Sequence, residues 1–278
     1  MKFDGKAFAS EIEVEVSTSL RQGYGGRRRP KIVSVLVGDD PASVLYTKLK
    51  KQAAERVGIE FEIVKFESGF SRDQNQDLGS RIRQIGARED VTGVMVQLPL
   101  PGVSRKDTEA ILQAIPLEKD VDGLRYPDSG VVPPVVKAVL SIVEEIDREK
   151  FTIYNLQFTN TWEKRFVVLG ARGFVGSALC SELNKRGIIV DQVDSDTSDP
   201  AEITSQADVV ISCMGNEGMV TSDMVRDGAI VIDVGAPRGD MTREVYEKAS
   251  VSVEVPGGIG PVTIACLLQN ACDTIPGL

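Results

Sequence analysis

Arg165-Phe166-Val167-Val168-Leu169-Gly170-Ala171-Arg172-Gly173-Phe174-Val175-Gly176 decides the fold. An apolar run, Phe166 to Leu169, enters a glycine turn, and a helical pattern begins near Phe174 and closes at Gly187. A continuous apolar run bounded by glycine suits a strand buried on both faces, as in a parallel sheet. Glycines let the backbone approach a pyrophosphate, and the helix N-terminus behind them offers free N–H groups. The spacing is G-x-x-G-x-x-G rather than G-x-G-x-x-G, so the motif alone also suits a plain turn.

The next apolar run, Ile188–Val193, ends at Asp194-Ser195-Asp196. An acidic residue roughly 20 positions past such a turn accepts hydrogen bonds from an adenosine ribose. Carboxylates there repel a 2′-phosphate, and the only Arg or Lys residues between Gly187 and Asp240 are Arg226 and Arg238. The stretch therefore favours NAD over NADP. The plainer alternative makes Asp194 and Asp196 solvated loop residues.

Further strand-like runs are Lys31–Val37, Phe61–Phe66, Thr92–Val96, Asp208–Cys213 and Ala229–Val234. Helical patterns lie between them, which marks a parallel α/β protein. Asp40-Pro41 starts one helix and Gly58 ends it; Ser104 with Asp107 caps another. Pro134 opens a helix through Ile146, and the polar stretch Asp147–Lys164 reads as a connection. Two lobes result, with a cleft between them: residues 1–120 joined by 262–278, and a Rossmann-like lobe of 121–261. The last helical stretch has no strand left to join and is expected to return to the first lobe.

Composition narrows the function. The 278 residues carry a formal charge of −9, which argues against a nucleic-acid binder. Arg27-Arg28-Arg29 reads as a solvated turn. No apolar run approaches the roughly 20 residues that span a bilayer. Met1 to Lys6 lacks a signal-peptide core, so the cytoplasm is expected. Cys180, Cys213, Cys266 and Cys272 show no metal-ligand spacing and read as free thiols. There is no histidine, so proton transfer falls to lysine, tyrosine, cysteine or a carboxylate.

A second stretch points to that chemistry. The run Thr92–Val96 meets Gln97-Leu98-Pro99-Leu100-Pro101, and proline cannot continue a ladder. Gln97 is left at a strand end, where open α/β sheets bind ligands. On the helix after Pro41, Ala42, Leu45, Leu49, Ala53 and Val57 form an apolar stripe when projected at about 100° per residue. Tyr46 falls inside it and Lys50 at its margin, while Lys48 and Lys51 point away. Lys50 is thus expected to be partly desolvated, which disfavours its ammonium form. A lysine whose stem merely covers apolar surface is the plainer reading.

Together these segments resemble the bifunctional methylenetetrahydrofolate dehydrogenase/methenyltetrahydrofolate cyclohydrolase family. Matching segments are Asp4-Gly5-Lys6, Val37 to Ser43 with Tyr46-x-x-x-Lys50, Gly93 to Pro101, Lys119-Asp120-Val121-Asp122-Gly123, Gly228 to Gly235, and Pro256 to Thr263. Six in the right order form a specific signal. The resemblance implies oxidation of 5,10-methylenetetrahydrofolate with NAD or NADP, then hydrolysis to 10-formyltetrahydrofolate. Lys50 would be the acid–base group, Gln97 its hydrogen-bond partner, and Tyr46 a stacking platform. Asp122 would bind the pterin, with Val96, Leu98, Pro256, Gly257, Gly260 and Pro261 around the folate. The cofactor would meet Gly170, Arg172, Gly173, Phe174, Val175 and Gly176, then Asp194, Ser195, Cys213, Gly215, Ala236 and Thr263. No metal is implied, and the family is homodimeric through the nucleotide lobe.

The chain departs from that pattern around the cofactor half. The loop after Gly123 is short, lacking the family's P-C-T-P-like motif, the phosphate turn is altered, and Val253-Glu254 stands where T-P is usual. These departures open two alternatives: a cyclohydrolase with weakened dehydrogenase activity, and a non-catalytic folate- or nucleotide-binding protein.

Overall fold

Parallel strands and crossing helices build two units. The computed structural model of the chain describes residues 1–23, 29–68, 72–154 and 161–275. One unit comprises Ala9–Pro134 and Ile264–Leu278, here the N-terminal unit; the other comprises Met1–Phe8 and Val135–Thr263, here the glycine-turn unit.

In the first half of the chain the elements are α1 (Gly5–Gly23), β1 (Lys31–Val37), α2 (Pro41–Val57), β2 (Glu60–Phe66), α3 (Arg72–Gly86), β3 (Gly93–Val96) and α4 (Arg105–Leu112). The sheet runs β2-β1-β3, all parallel, with Ile32 facing Phe61 on one side and Gly93 on the other. Being central, β1 is covered on both faces. Its Val33, Val35 and Val37 pack with Leu78 and Ile82 of α3 and Ile111 of α4. The hydroxyl of Ser34, buried in the same strand, has no hydrogen-bond partner, a desolvation cost of about 1–3 kcal/mol. The cap signals hold: an Asp40 carboxylate oxygen accepts from Ser43 N at 2.8 Å, and Gly58 closes α2 at φ 93°.

The second half continues with α5 (Pro134–Tyr154), β4 (Phe166–Leu169), α6 (Phe174–Lys185), β5 (Val190–Val193), α7 (Pro200–Thr204), β6 (Val209–Ser212), β7 (Ile230–Asp233), α8 (Arg243–Lys248), β8 (Val251–Val253) and α9 (Ile259–Asp273). The parallel sheet runs β5-β4-β6-β7-β8. From β4 the chain goes to one side for β5, then crosses to the other for β6. That reversal opens a crevice at the carboxyl ends of β4 and β6, where such folds bind ligands.

Two sequence expectations change. First, α5 continues to Tyr154 rather than stopping at Ile146. Arg148, taken for part of a connection, lies on this helix and pairs with Glu145 at 2.7 Å, while residues 155–160 of that stretch lie outside the described residues. Second, β8 had no counterpart in the sequence reading; it is three residues long and gains a parallel bridge, Lys2 to Ser252, from the chain's start. Between residue 120 and the start of α5 the chain packs with the N-terminal unit. The segment between is tied to α9, whose Asn270 Nδ2 donates to the carbonyls of Val121 (3.2 Å) and Val132 (2.9 Å). Arg27 and Arg28 lie outside the described residues, and Arg29 is exposed. Among the described residues no helix is long and apolar enough to cross a membrane.

Candidate functional site

Lys50 belongs to the buried face of α2, with Ser43, Thr47, Ala53, Ala54 and Val57. The projected apolar stripe was partly wrong: Leu45 is 55% exposed and Leu49 40%. Small and β-branched side chains face the sheet and the leucines do not, so the buried arc is rotated toward Lys50. Its side chain is left 11% exposed, Lys48 is exposed and Lys51 half-buried. Tyr46, one turn earlier, is half-buried.

The strand end supplies the partner. Gln97 N donates to Val35 O at 2.8 Å, extending the β1–β3 ladder by one residue before the prolines stop it. Its Nε2 donates to Leu98 O at 2.9 Å, which turns Oε1 toward α2, and Lys50 Nζ donates to that oxygen at 3.3 Å. Asp122 Oδ2 lies 3.8 Å from the same ammonium, with its side chain 16% exposed. The amine thus stands between a neutral amide oxygen and a carboxylate. Val96 is in the core and can serve a ligand only through its backbone; Leu98 packs partly against the same core.

Sequence reasoning missed what fixes Asp122. Asp120 is fully buried, and its two carboxylate oxygens accept from Leu124 N and Arg125 N, each at 2.9 Å. Burial pushes its carboxyl up, opposed by those hydrogen bonds. Gly123 closes the turn at φ 61°, and a Cβ there would stand 2.7 Å from Pro133 N. The shortened loop is thus an ordered turn that holds Asp122 beside Lys50.

In the other unit the glycine turn is a close-packed cradle. A Cβ on Gly170 (φ 77°) would lie 2.7 Å from Cys213 O, and one on Gly176 would lie 2.2 Å from Gly170 O. No side chain caps the N-terminus of α6 at Gly173, Phe174 is 43% exposed and Val175 is half-buried. Uncapped N–H groups behind a turn that admits no Cβ fit a pyrophosphate.

Arg172 changes the electrostatics expected at Asp194. It arrives from the turn after β4, ahead of the 187–240 stretch. Its Nε sits 2.9 Å from Asp194 Oδ2, and it also pairs closely with Asp196. The guanidinium holds the Asp196 carboxyl below its usual range. Ser195 Oγ donates to Asp196 at 3.4 Å. Thr263 spends its hydroxyl proton within α9, on Ile259 O at 3.0 Å. Burial pushes the Cys213 thiol far up, so it offers no thiolate.

Beyond β6 and β7, Gly215, Gly235, Ala236, Pro237 and Asp240 help line a cavity of about 230 Å³. Pro256 (exposed) and Gly257 at φ 104° lie in the loop after β8, and Gly260 and Pro261 in the first turn of α9, all in the glycine-turn unit. A Cβ on Gly5 would meet Gly258 O at 1.9 Å, which gives the opening Asp4-Gly5 pair a packing reason.

A buried lysine–amide–carboxylate set in one α/β unit and an uncapped glycine cradle in the other define a two-domain enzyme class, catalytic domain plus dinucleotide domain. The family models agree. Residues 3–122 match the tetrahydrofolate dehydrogenase/cyclohydrolase catalytic domain, and residues 151–276 match the NAD(P)-binding domain of the same family. The bifunctional protein FolD of an Exiguobacterium strain is 37% identical over 97% of this chain and 96% of its own. The crystal structure of the bifunctional FolD enzyme from Campylobacter jejuni superposes with TM-score 0.86 at 30% identity, covering 99% of this chain and 98% of that one. That of the Trypanosoma brucei dehydrogenase-cyclohydrolase, complexed with NADP and an inhibitor, gives 0.81 at 28%, covering 99% and 96%. The chain belongs to the tetrahydrofolate dehydrogenase/cyclohydrolase family.

Proposed function

We propose that this chain oxidises 5,10-methylenetetrahydrofolate to the 5,10-methenyl form and hydrolyses that product to 10-formyltetrahydrofolate. The observation that carries the hydrolytic half is Lys50 Nζ held 3.3 Å from Gln97 Oε1 and 3.8 Å from Asp122 Oδ2. Water adds to the methenyl carbon; Lys50 accepts one of its protons and returns it to the ring nitrogen as the C–N bond breaks, and the remaining hydroxyl proton passes to solvent as the formyl C=O forms. The amide oxygen of Gln97 accepts a hydrogen bond from the amine and so fixes where its nitrogen stands against the substrate. Asp122 binds the pterin, and Tyr46 stacks against it. Pro256, Gly257, Gly260 and Pro261 are assigned to the folate by the family motif.

A bound nicotinamide supplies the hydride acceptor for the oxidation. The chain's part in that step is orientation: the Gly170–Gly176 cradle takes the pyrophosphate, and Asp194 takes the adenosine ribose. NAD is the preferred form. Two carboxylates against the single guanidinium of Arg172 leave that end of the site net negative, and both occupy the arginine that a 2′-phosphate would need. The protein acts in the cytoplasm as a homodimer formed through the glycine-turn unit; light scattering showing a monomer at micromolar concentration would remove that last element.

The test uses both activities. Lys50→Met lowers cyclohydrolase kcat by at least about 100-fold, the scale of general acid–base catalysis, while hydride transfer continues at the nicotinamide absorbance. A Lys50→Met protein with normal hydrolysis defeats the assignment. Calorimetric titration with NAD and NADP decides the cofactor preference; tighter NADP binding reverses it.

A further inference from the structure

Two fully buried aspartates, Asp233 and Asp240, lie behind the ends of β6 and β7. The Asp233 carboxylate accepts from Gly235 N (2.8 Å), Asp240 N (3.0 Å), Met241 N (2.9 Å) and the Tyr246 hydroxyl (2.5 Å). It therefore fixes the backbone that presents Asp240. The Asp240 carboxylate in turn accepts from Ser212 Oγ (2.7 Å), Met214 N (2.8 Å), Gly215 N (3.2 Å) and Asn216 N (2.7 Å). Three successive N–H groups converging on one anion form a nest, the arrangement other proteins use for phosphate. Here the anion is built in. The fit is tight, since a Cβ on Gly235 would lie 2.3 Å from Asp240 Oδ1.

This internal anion has a place in the sheet that matters. Gly215, at φ 68°, sits in the middle of the nest and on the wall of the cavity of about 230 Å³, with Ala236 on the β7 side. The adenosine ribose belongs over β5, at Asp194, and the pyrophosphate over the β4 turn. The half of a dinucleotide beyond the pyrophosphate is left to the ends of β6 and β7. We propose that Asp240 is a positioning residue for that half: its carboxylate holds Met214–Asn216 in the one conformation that shapes the cavity for the nicotinamide nucleotide. The inference rests on the reading of the glycine-turn unit as a nicotinamide dinucleotide site. Because the nest is already filled, the loop does not compete with the α6 N-terminus for phosphate.

The experiment is calorimetric titration of the full-length wild type, Asp240→Asn and Ser212→Ala with NAD and, separately, with 5′-AMP. An asparagine keeps the shape but sets an amide N–H₂ against N–H donors. It should raise the NAD Kd at least about tenfold, the equivalent of ~1.4 kcal/mol. Binding of 5′-AMP, which needs only the β5 side, should change by less than about twofold in Asp240→Asn. Ser212→Ala, which leaves the three N–H bonds, should weaken NAD by about two- to fivefold. Equal affinity of Asp240→Asn and wild type for NAD overturns the proposal, as does a parallel loss of NAD and 5′-AMP, which marks general disruption. If Asp240→Asn does not fold, unchanged NAD affinity in Ser212→Ala overturns it. A wild-type protein that binds no NAD instead defeats the cofactor reading beneath it.

Discussion

Lys50 and Arg172 are both cations set between acceptors, and they differ most in their access to water. Lys50 and Asp122 keep side-chain exposures of 11% and 16%; Arg172 and Asp196 keep 65% and 68%. A charge shielded from solvent is sensitive to each neighbour, because the local dielectric no longer screens it. One in water exchanges its partners at little cost. The first arrangement suits proton transfer, where the protonation state must be set by the protein. The second suits choice of ligand, where a charge need only favour one phosphate pattern over another.

Three changes would break or sharpen that contrast. The largest effect is expected at Gln97. Gln97→Leu removes the oxygen that Lys50 donates to, and a buried hydrogen bond to a charged group is worth about 1.5–3 kcal/mol, or about 10- to 100-fold in cyclohydrolase kcat. Steady-state hydrolysis of the methenyl substrate reads it; a change under twofold would make the glutamine a bystander. The next is Asp196→Ser, which frees half of Arg172's partnership. NADP should bind about tenfold tighter at low salt, and the gain should shrink as ionic strength rises. A gain that ignores salt would mean the cluster is less solvated than its exposure implies.

The smallest effect belongs to a cluster with no proposed chemistry. Glu62 pairs with Arg88 at 2.9 Å and Lys31 at 3.0 Å, and those hydrogen bonds lower its carboxyl from 4.5 to about 2. A lowered carboxyl contributes stability above its unfolded value and loses it as pH falls through the folded one. Urea unfolding of wild type and Arg88→Ala should therefore differ most above pH 4.5 and converge as pH falls toward 2. Solvent screening holds the Glu62 contribution to about 0.5 kcal/mol. A gap that persists at low pH would assign Arg88 a packing role instead.

Legibility followed the range of the determining contacts. Caps and strand runs are local, so Asp40, Gly58 and Lys31–Val37 were readable. Lys50 was singled out although the leucine stripe pointing to it was misplaced. The margin of a projected stripe was near enough, because the true buried face is the neighbouring arc. What failed depends on distant partners. The ion pair of Arg172 with Asp194 joins residues from two strand ends. The segment leading to α5 is held by Asn270, and β8 pairs with β7 and gains a bridge from Lys2. Asp240 had one local sign, an aspartate closing the Gly235-Ala236-Pro237-Arg238-Gly239 turn, and nothing nearby names the loop it binds.

The seating of Gly5 against Gly258 also sets a schedule. Phe3 N donates to Ser252 O at 2.9 Å, so the segment before α1 finds its partner only after β1 to β7 have been made. At about 5–20 residues per second, that wait is on the order of ten seconds or more. During it the strand that will carry Ser252 does not exist, and the opening segment has nothing to dock on. The N-terminal unit meanwhile lacks α9, which follows β8 in the chain. Synthesis therefore cannot finish one unit before starting the other, because each is built from two separated segments.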